Sequence, residues 1–443
     1  MWDVIVVGAR CSGSSTAMLL ARAGHRVLVV DRAAFPSDVV STHFLWPHGA
    51  SYLNRWSLLD DVLAVTPSHT TIEMVTDGIP LSGTVPLPLL KRYFDELHGD
   101  DEGAVQTYTS VRRRVLDQIL IDGAEAAGAE VRTGFTVTEL LFDDEGRVAG
   151  LRGHGRDGVV VSEQARMVVG ADGRNSFVAR ALRLPKFDER PRCTFAYWSY
   201  YEGTPVEHAR LHRRGRLAMA SVPTNFGQTM NLVYGPSEWA SAFRRDIPGN
   251  FAKAVDFISP EIGAELRGAE RVERFFGTLD QSAYLRRLSG EGWVLVGDAE
   301  SFKDQCTAMG MTHAFRDAEL VAAALNSWLR GDQPLEIALK EYEARRRSQS
   351  AAAYYDYVCT LAEMRPPRHE ELRMFLALRD NQAETDRFLA VHGDVSPLSD
   401  FFEASNLFLL DGGMRESSSR EYAVFDDFEA TSRMYRQNPF IES

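Results

Sequence analysis

Among 443 residues the chain has only four cysteines, no run of 18 apolar residues, and fewer positive charges than negative ones. Cys11, Cys193, Cys306 and Cys359 are scattered without Cys-x-x-Cys spacing, which speaks against a zinc ribbon or a disulfide scaffold and leaves reduced thiols and no metal site as the expectation. Without a long apolar run there is no candidate for a membrane-spanning helix, and Met1 leads straight into a strand with no basic leader, so a cytoplasmic protein is expected. Lys and Arg number 49 against 62 Asp and Glu, a net charge of -13, so the basic face of a sequence-independent nucleic-acid binder is missing. What remains is an ordinary globular composition, 44% hydrophobic and 25% charged, long enough for two or three structural units. Small molecules are the expected partners, with no nucleic acid and no membrane, and the chain is expected to be a monomer or a homodimer.

The first thirty residues organise the rest. Asp3 to Val7 reads as a strand buried on both faces and ends in Gly8-Ala9-Arg10-Cys11-Ser12-Gly13. A helix follows from Ser14 to Ala23, Gly24 suits its C-terminal cap, and His25 to Asp31 is a second buried strand. This βαβ unit points to a dinucleotide site, with backbone amides of the turn near a pyrophosphate and Asp31, 23 residues beyond Gly8, accepting from a ribose hydroxyl. The candidate set is Gly8, Arg10, Cys11, Ser12, Gly13, Asp31 and Arg32. Arg10 stands where a middle glycine is usual, and either meets the diphosphate or points into solvent.

Further candidates follow along the chain. Ser41 and Thr42, in the loop after the second strand, either reach the cofactor or serve as turn and capping residues. His43 and His48 lack metal-ligand spacing; they are candidates for accepting a proton from a bound substrate, or simply bond locally. Residues 66 to 107 read as an insertion, with a strand at Thr70 to Val75, breaks at Gly78-Ile79-Pro80 and Pro86-Leu87-Pro88, and a solvated acidic loop from Asp95 to Glu102. Arg112, Arg113 and Arg114 open a helix whose dipole disfavours cations, so they either meet an anion or end in solvent. Residues 130 to 161 alternate like a β-meander, after which Ala165 to Val169 runs into a second glycine turn, Gly170-Ala171-Asp172-Gly173-Arg174. From 187 to 275 the chain reads as strand-rich and aromatic. Tyr197, Trp198, Tyr200, Phe226 and Met230 are the candidates for lining an apolar pocket, with ordinary core packing as the other use of such residues. A third turn, Gly297-Asp298-Ala299, closes a strand and leads through Gln305 to a helix at Ala308 to Ala318. There Met309, Gly310 and Met311 are candidates for close approach to a flat ring. Helices are expected on to Leu329, over Ala338 to Val358, over Glu370 to Leu378 and over Gln382 to Val391, and the acidic aromatic stretch Tyr422 to Phe428 is expected to pack against the body.

Taken together, the turns at Gly8 to Gly13, Gly170 to Arg174 and Gly297 to Ala299 resemble, in order and spacing, the three FAD motifs of group A flavoprotein monooxygenases, the para-hydroxybenzoate hydroxylase-like family. The resemblance spans residues 4 to 318. The wider superfamily includes geranylgeranyl-reductase-like enzymes and flavin halogenases. The fold class implied is α/β with an α+β insert. It has a discontinuous Rossmann-like FAD-binding domain (1–70, 102–186 and 276–330), a substrate-binding β-sheet domain (71–101 and 187–275), and a C-terminal helical region and tail (331–443).

The resemblance implies that Gly8, Gly13 and Asp31 hold the ADP half of FAD and that Arg113 lies near its diphosphate. It also implies that Asp172 and Gly173 serve FAD and NAD(P)H, and that Gly297 and Asp298 meet the ribityl chain. The family's histidine and flavin-edge proline are replaced by Ser301 and Gln305, which brings Gln305, Cys306 and Met309 close to the reacting edge. The chemistry implied is reduction of FAD by transient NAD(P)H, formation of a flavin C4a-hydroperoxide from O2, and oxygenation of an aromatic or otherwise electron-rich small molecule. A reductase or dehydrogenase of the geranylgeranyl-reductase type needs the same motifs and is the alternative; a flavin protein without turnover is a third reading. The Trp-x-Trp-x-Ile-Pro motif of flavin halogenases does not occur, which ranks halogenation below hydroxylation.

Overall fold

A computed structural model describes residues 1–39, 41–403 and 438–440. The fold is α/β and is built around two large sheets. The first follows from the Val-rich runs at the start of the chain. The strands Trp2–Val7 and Val27–Asp31 pair in parallel with Val4 opposite Val27, and Trp2–Val7 pairs in parallel on its other side with Val160–Gly170. Across the sheet the order is Ser289–Gly290, Trp293–Leu295, Val160–Gly170, Trp2–Val7, Val27–Asp31 and Glu130–Thr133. Alternate residues serve two cores, since strand side chains point to opposite faces. Val4, Val6, Val27 and Val29 pack beneath the helices Cys11–Arg22, Arg113–Ala126 and Gly310–Arg330, while Ile5, Val7, Leu28 and Val30 face Phe135, Leu140 and Trp293.

The register has a functional consequence. Val7 lies opposite both Val30 and Gly170, and Gly170 lies opposite Leu295, so four strands end level with one another. The turns that follow them therefore converge at one sheet edge, the carboxyl edge where open α/β sheets bind ligands.

In the second sheet the order is Glu270–Arg271, Thr194–Glu202, Thr229–Pro236, Leu217–Pro223, Ala209–Arg214, Ile72–Thr76 and Ile79–Gly83. Its pairings are antiparallel except where Ala209–Arg214 meets Ile72–Thr76. Phe195, Tyr197 and Tyr201 face the helices Ile247–Ile258 and Pro260–Gly268. On the other side Trp198, Tyr200 and Met230 face the helices Gln349–Ala362, His369–Arg379 and Gln382–His392. The C-terminal region is thereby the cover of one sheet face.

Four details depart from the sequence expectation. The supposed acidic loop is helix as far as His98: Leu87–His98 buries Leu90 and Phe94, one turn apart, and stops at Gly99 in the left-handed region. Ile79–Gly83 is a strand despite Pro80, which the sheet edge tolerates because one side of an edge strand needs no donor. Within the strand-rich insert, Asp246 and Ser259 cap the helices Ile247–Ile258 and Pro260–Gly268, each with a proline in its first turn. The helix expected from Ala338 to Val358 is two, Leu335–Arg346 and Gln349–Ala362, because Ser348 caps a fresh start. Tyr422 to Phe428 lie outside the described residues. Among the described residues no helix is long and apolar enough to cross a membrane.

Candidate functional site

The three glycine turns enclose one cavity of about 840 Å³. Its tightness begins with Gly8, whose φ is +107° and whose hydrogen faces the second turn: a Cβ there would stand 2.4 Å from the carbonyl oxygen of Ala171. A Cβ on Gly13 would stand 1.8 Å from the Gly8 oxygen, so the first helix starts directly on the turn. Asp31 braces the same turn, accepting from the backbone amides of Ala9 at 2.8 Å and Ala33 at 2.7 Å, and its carboxylate borders the cavity.

Arg10 borders the cavity but neither projects freely toward an anion nor lies in solvent. Its guanidinium is tied to Asp117 at 2.5 Å and to the Ser37 hydroxyl at 2.9 Å, and stacks 4.9 Å from the Phe35 ring centre. Arg113, also on the wall, holds the other side of the fully buried Asp117 at 2.8 Å. Cys11 lies against that carboxylate, and burial pushes its thiol up to about 12, so it stays protonated. Arg112 points elsewhere: it pairs with Asp38 and Glu273 and lies 4.0 Å over the Tyr200 ring centre.

In the second turn Asp172 accepts from the amides of Phe177 at 2.5 Å and Val178 at 3.3 Å with one oxygen, while the other is buried without a partner. Burial raises its pKa. Gly297 of the third turn is pressed against the first helix, where a Cβ would stand 2.2 Å from the Ser12 hydroxyl. Asp298 beside it accepts from the Tyr284 hydroxyl at 2.8 Å through its carbonyl, while its carboxylate opens onto the cavity with no hydrogen-bond or ion-pair partner among the described residues. Its pKa is raised by burial, against the lowering effect of Lys303, Arg113 and Arg174.

The wall brings together Gly8, Arg10, Cys11, Ser12, Asp31, Arg32, Ser41, Thr42, Arg113, Asp172, Gly173, Gly297, Asp298, Gln305, Met309, Gly310 and Met311 of the sequence candidates. Gly13 stands one step behind it. The two histidines are off the wall. His43, in the left-handed region at φ 59°, hydrogen-bonds the Tyr200 hydroxyl through Nε2, and its Nδ1 is buried without a partner. His48 is buried with both ring nitrogens unpartnered, beside the Tyr93 ring. Burial brings each imidazole down to about 3, so both are neutral at physiological pH.

The aromatic candidates divide among three places. Tyr197 is stacked on Phe243 in the core of the far sheet face, and Phe226 is 60% exposed on a turn at φ 65°. Trp198, Tyr200 and Met230 share one buried core with Met309 of the cavity wall. Sequence reasoning missed Lys303, His313, Asp317 and Arg346, which also line the cavity. His313 hydrogen-bonds Asp394 of the C-terminal region at 2.8 Å, and Arg346 pairs with Asp317 at 2.9 Å and Glu300 at 3.2 Å. Their signal was only a Lys-Asp pair in the loop and an Arg-Asp pair on the helix, common on any surface.

These features fit FAD. The cavity has room at Gly173 and Gly310, where an added Cβ would meet nothing within 4 Å, and it offers an orphaned Asp172 oxygen and an unpaired Asp298 carboxylate to polyol hydroxyls. Known proteins agree. A tryptophan 2-halogenase of Chondromyces crocatus is 24% identical over 96% of this chain and 80% of its own length. A digeranylgeranylglycerophospholipid reductase of Methanosarcina acetivorans is 26% identical over 78% of this chain and 81% of its own. In fold, the chain is similar to PqsL, a probable FAD-dependent monooxygenase from Pseudomonas aeruginosa, with a TM-score of 0.66 at 22% identity over 88% of this chain and 99% of that one. The family model described as FAD binding domain matches residues 1–356, and the chain, a flavin-dependent oxidoreductase by that kinship, belongs to this FAD binding domain family.

Proposed function

We propose that the protein is an FAD-dependent monooxygenase that draws two electrons from NAD(P)H, transfers one atom of O2 to a flat, apolar small molecule and releases the other as water. The observation that carries the reading is the double membership of Met309, which lines the cofactor cavity and belongs to the same core as Trp198, Tyr200 and Met230. An aromatic, apolar roof therefore meets the Gln305–Met311 end of the cavity, and such a roof excludes water from an oxygen-transfer step. Bound flavin supplies the hydride-accepting and oxygen-activating chemistry. The chain holds and screens it. The first turn and Asp31 hold the ADP half, and Asp298 of the third turn accepts from the ribityl chain. Gln305 borders the reacting edge, and the His43–Tyr200 hydrogen bond positions the roof one residue behind Ser41 and Thr42.

A reductase reading stands second, favoured by the reductase relative, which is 26% identical over 78% of this chain. Halogenation stands lower although a halogenase relative spans more of the chain, because the Trp-x-Trp-x-Ile-Pro motif is missing. The test is to supply the FAD-loaded protein with NADH or NADPH, air and a panel of flat apolar compounds. Oxygenation predicts that a substrate accelerates NAD(P)H oxidation and O2 uptake together and yields a hydroxylated or otherwise oxygenated product, with or without halide. A hydrogenated product formed without O2 would replace this reading with the reductase, and a halogenated product made only with halide would replace it with the halogenase.

A further inference from the structure

Lys303 stands on the cavity wall between Asp298 and Gly310, so it borders the end formed by the Gln305–Met311 loop. It is half-buried, and among the described residues its ammonium makes no hydrogen bond and no ion pair. Of the other cations of the wall, Arg32 is exposed after the second strand and the buried or half-buried arginines beside the glycine turns and the Lys303 loop are engaged. Arg10 and Arg113 share Asp117, and Arg346 is held by Glu300 and Asp317. Charged and titratable groups face Lys303 from each element around it. Asp298 and Glu300 come from its own loop; His313, Arg316 and Asp317 from the helix Gly310–Arg330; Arg346 from the helix before the Ser348 cap; and Asp394 from the C-terminal region. Glu300, Asp317 and Asp394 close on arginines or on His313, the Asp298 carboxylate closes on none of the described residues, and none of the four stands within ion-pair distance of Lys303.

An ammonium half withdrawn from water and left without a counterion is costly unless an anion arrives. The cavity is where one arrives, and it arrives by redox chemistry, since a flavin ring gains negative charge when reduced. We propose that Lys303 holds that charge and so sets the potential of the bound cofactor. The proposal rests on FAD binding as read above, and is independent of whether oxygen is the final acceptor.

A cation beside the ring stabilises the reduced form alone, so its removal lowers the potential. With partial screening, one charge at this range alters the two-electron equilibrium about tenfold, which is about 30 mV. Burial and the Arg346 and Arg316 charges bring the Lys303 pKa down to about 8. Above that pH the oxidised protein has lost the Lys303 proton and reduction restores it, so the potential falls more steeply with pH above about 8 than below.

The experiment is potentiometric titration of the FAD-loaded protein from pH 6 to 9 in wild type, Lys303→Met, Lys303→Gln and Lys303→Arg. The expected result is a potential about tenfold less favourable to reduction at pH 7 in both neutral variants, near-wild-type potential in Lys303→Arg, and the break near pH 8 in wild type alone. A merely structural lysine would change melting temperature or FAD retention without moving the potential. Should Lys303→Met fail to retain FAD, Lys303→Gln and Lys303→Arg decide by the same comparison. Neutral variants with the wild-type potential and pH slope would overturn the proposal. A shifted potential in a protein that oxygenates nothing would leave it standing and remove the monooxygenase reading instead.

Discussion

Arg10 and Lys303 border the same cavity and are held in opposite ways. Arg10 is locked before any cofactor arrives, by Asp117, Ser37 and the face of Phe35, and it joins the first glycine turn to the loop that covers the cavity. Lys303 has no partner among the described residues. One end of the cavity thus carries its own counterions and, in the proposed mode of FAD binding, is a rigid mould for a group whose charge never changes, the diphosphate. In the same proposed mode, the other end leaves a cation uncommitted where the cofactor's charge changes with redox state. Charge near a cofactor has to be read from what already neutralises it, not from its presence on the wall.

The sharpest way to break the mould is Gly13→Val. With a Cβ falling 1.8 Å from the Gly8 oxygen, the turn cannot keep its shape, and the expected cost is upwards of about 3 kcal/mol with loss of FAD retention, read by thermal melting and flavin fluorescence. Asp117→Asn comes next. It leaves Arg10 and Arg113 without a buried counterion, and urea unfolding should register a loss of about 2 to 3 kcal/mol, moderated because Arg10 is 23% exposed.

Asp304 tests the opposite end through pH. It accepts from the Thr194 hydroxyl at 2.5 Å and from the Cys306 amide at 3.0 Å, yet burial raises its pKa to about 6. A carboxyl raised on folding takes up its proton first in the folded state. Wild type should therefore gain stability relative to Asp304→Asn as pH falls from about 6 toward 4, by on the order of 2 kcal/mol in apoprotein melts. A difference that stays flat with pH would show the carboxyl to be unperturbed. The smallest effect is Arg10→Met, expected to cost about 1 kcal/mol while leaving the flavin potential where it was. A potential that moved as far as in Lys303→Met would erase the distinction between the two cations.

The sequence made the glycine end legible because its information is local. A strand, a turn that only glycine can close, a helix and an acid at the next strand end are written within thirty residues, and Gly8, Asp31, Asp172 and Asp298 all reach one cavity wall. The faces of the central aromatic strand were legible too, since alternation alone separates Tyr197 from Trp198 and Tyr200. What alternation could not say is which face meets the cavity, because that depends on helices more than 150 residues downstream. The Lys303 end was illegible for the same reason. Asp394 reaches His313 and Arg316 from the C-terminal region, and Arg346 reaches Asp317 from another helix, contacts that no local spacing announces. The helix Leu87–His98 was obscured by Pro86-Leu87-Pro88, which reads as a break but places a proline in the first turn, whereas the buried pair Leu90 and Phe94 carried its period.

The most direct test of the account is the origin of the oxygen atom in the product. FAD-loaded protein is turned over with NAD(P)H and a flat apolar substrate under 18O2 in ordinary water, and the product is weighed by mass spectrometry. One atom of 18O in the product is the predicted result. A product that carries no 18O, or that forms as readily without O2, would contradict oxygen transfer and leave the cavity to a reductase.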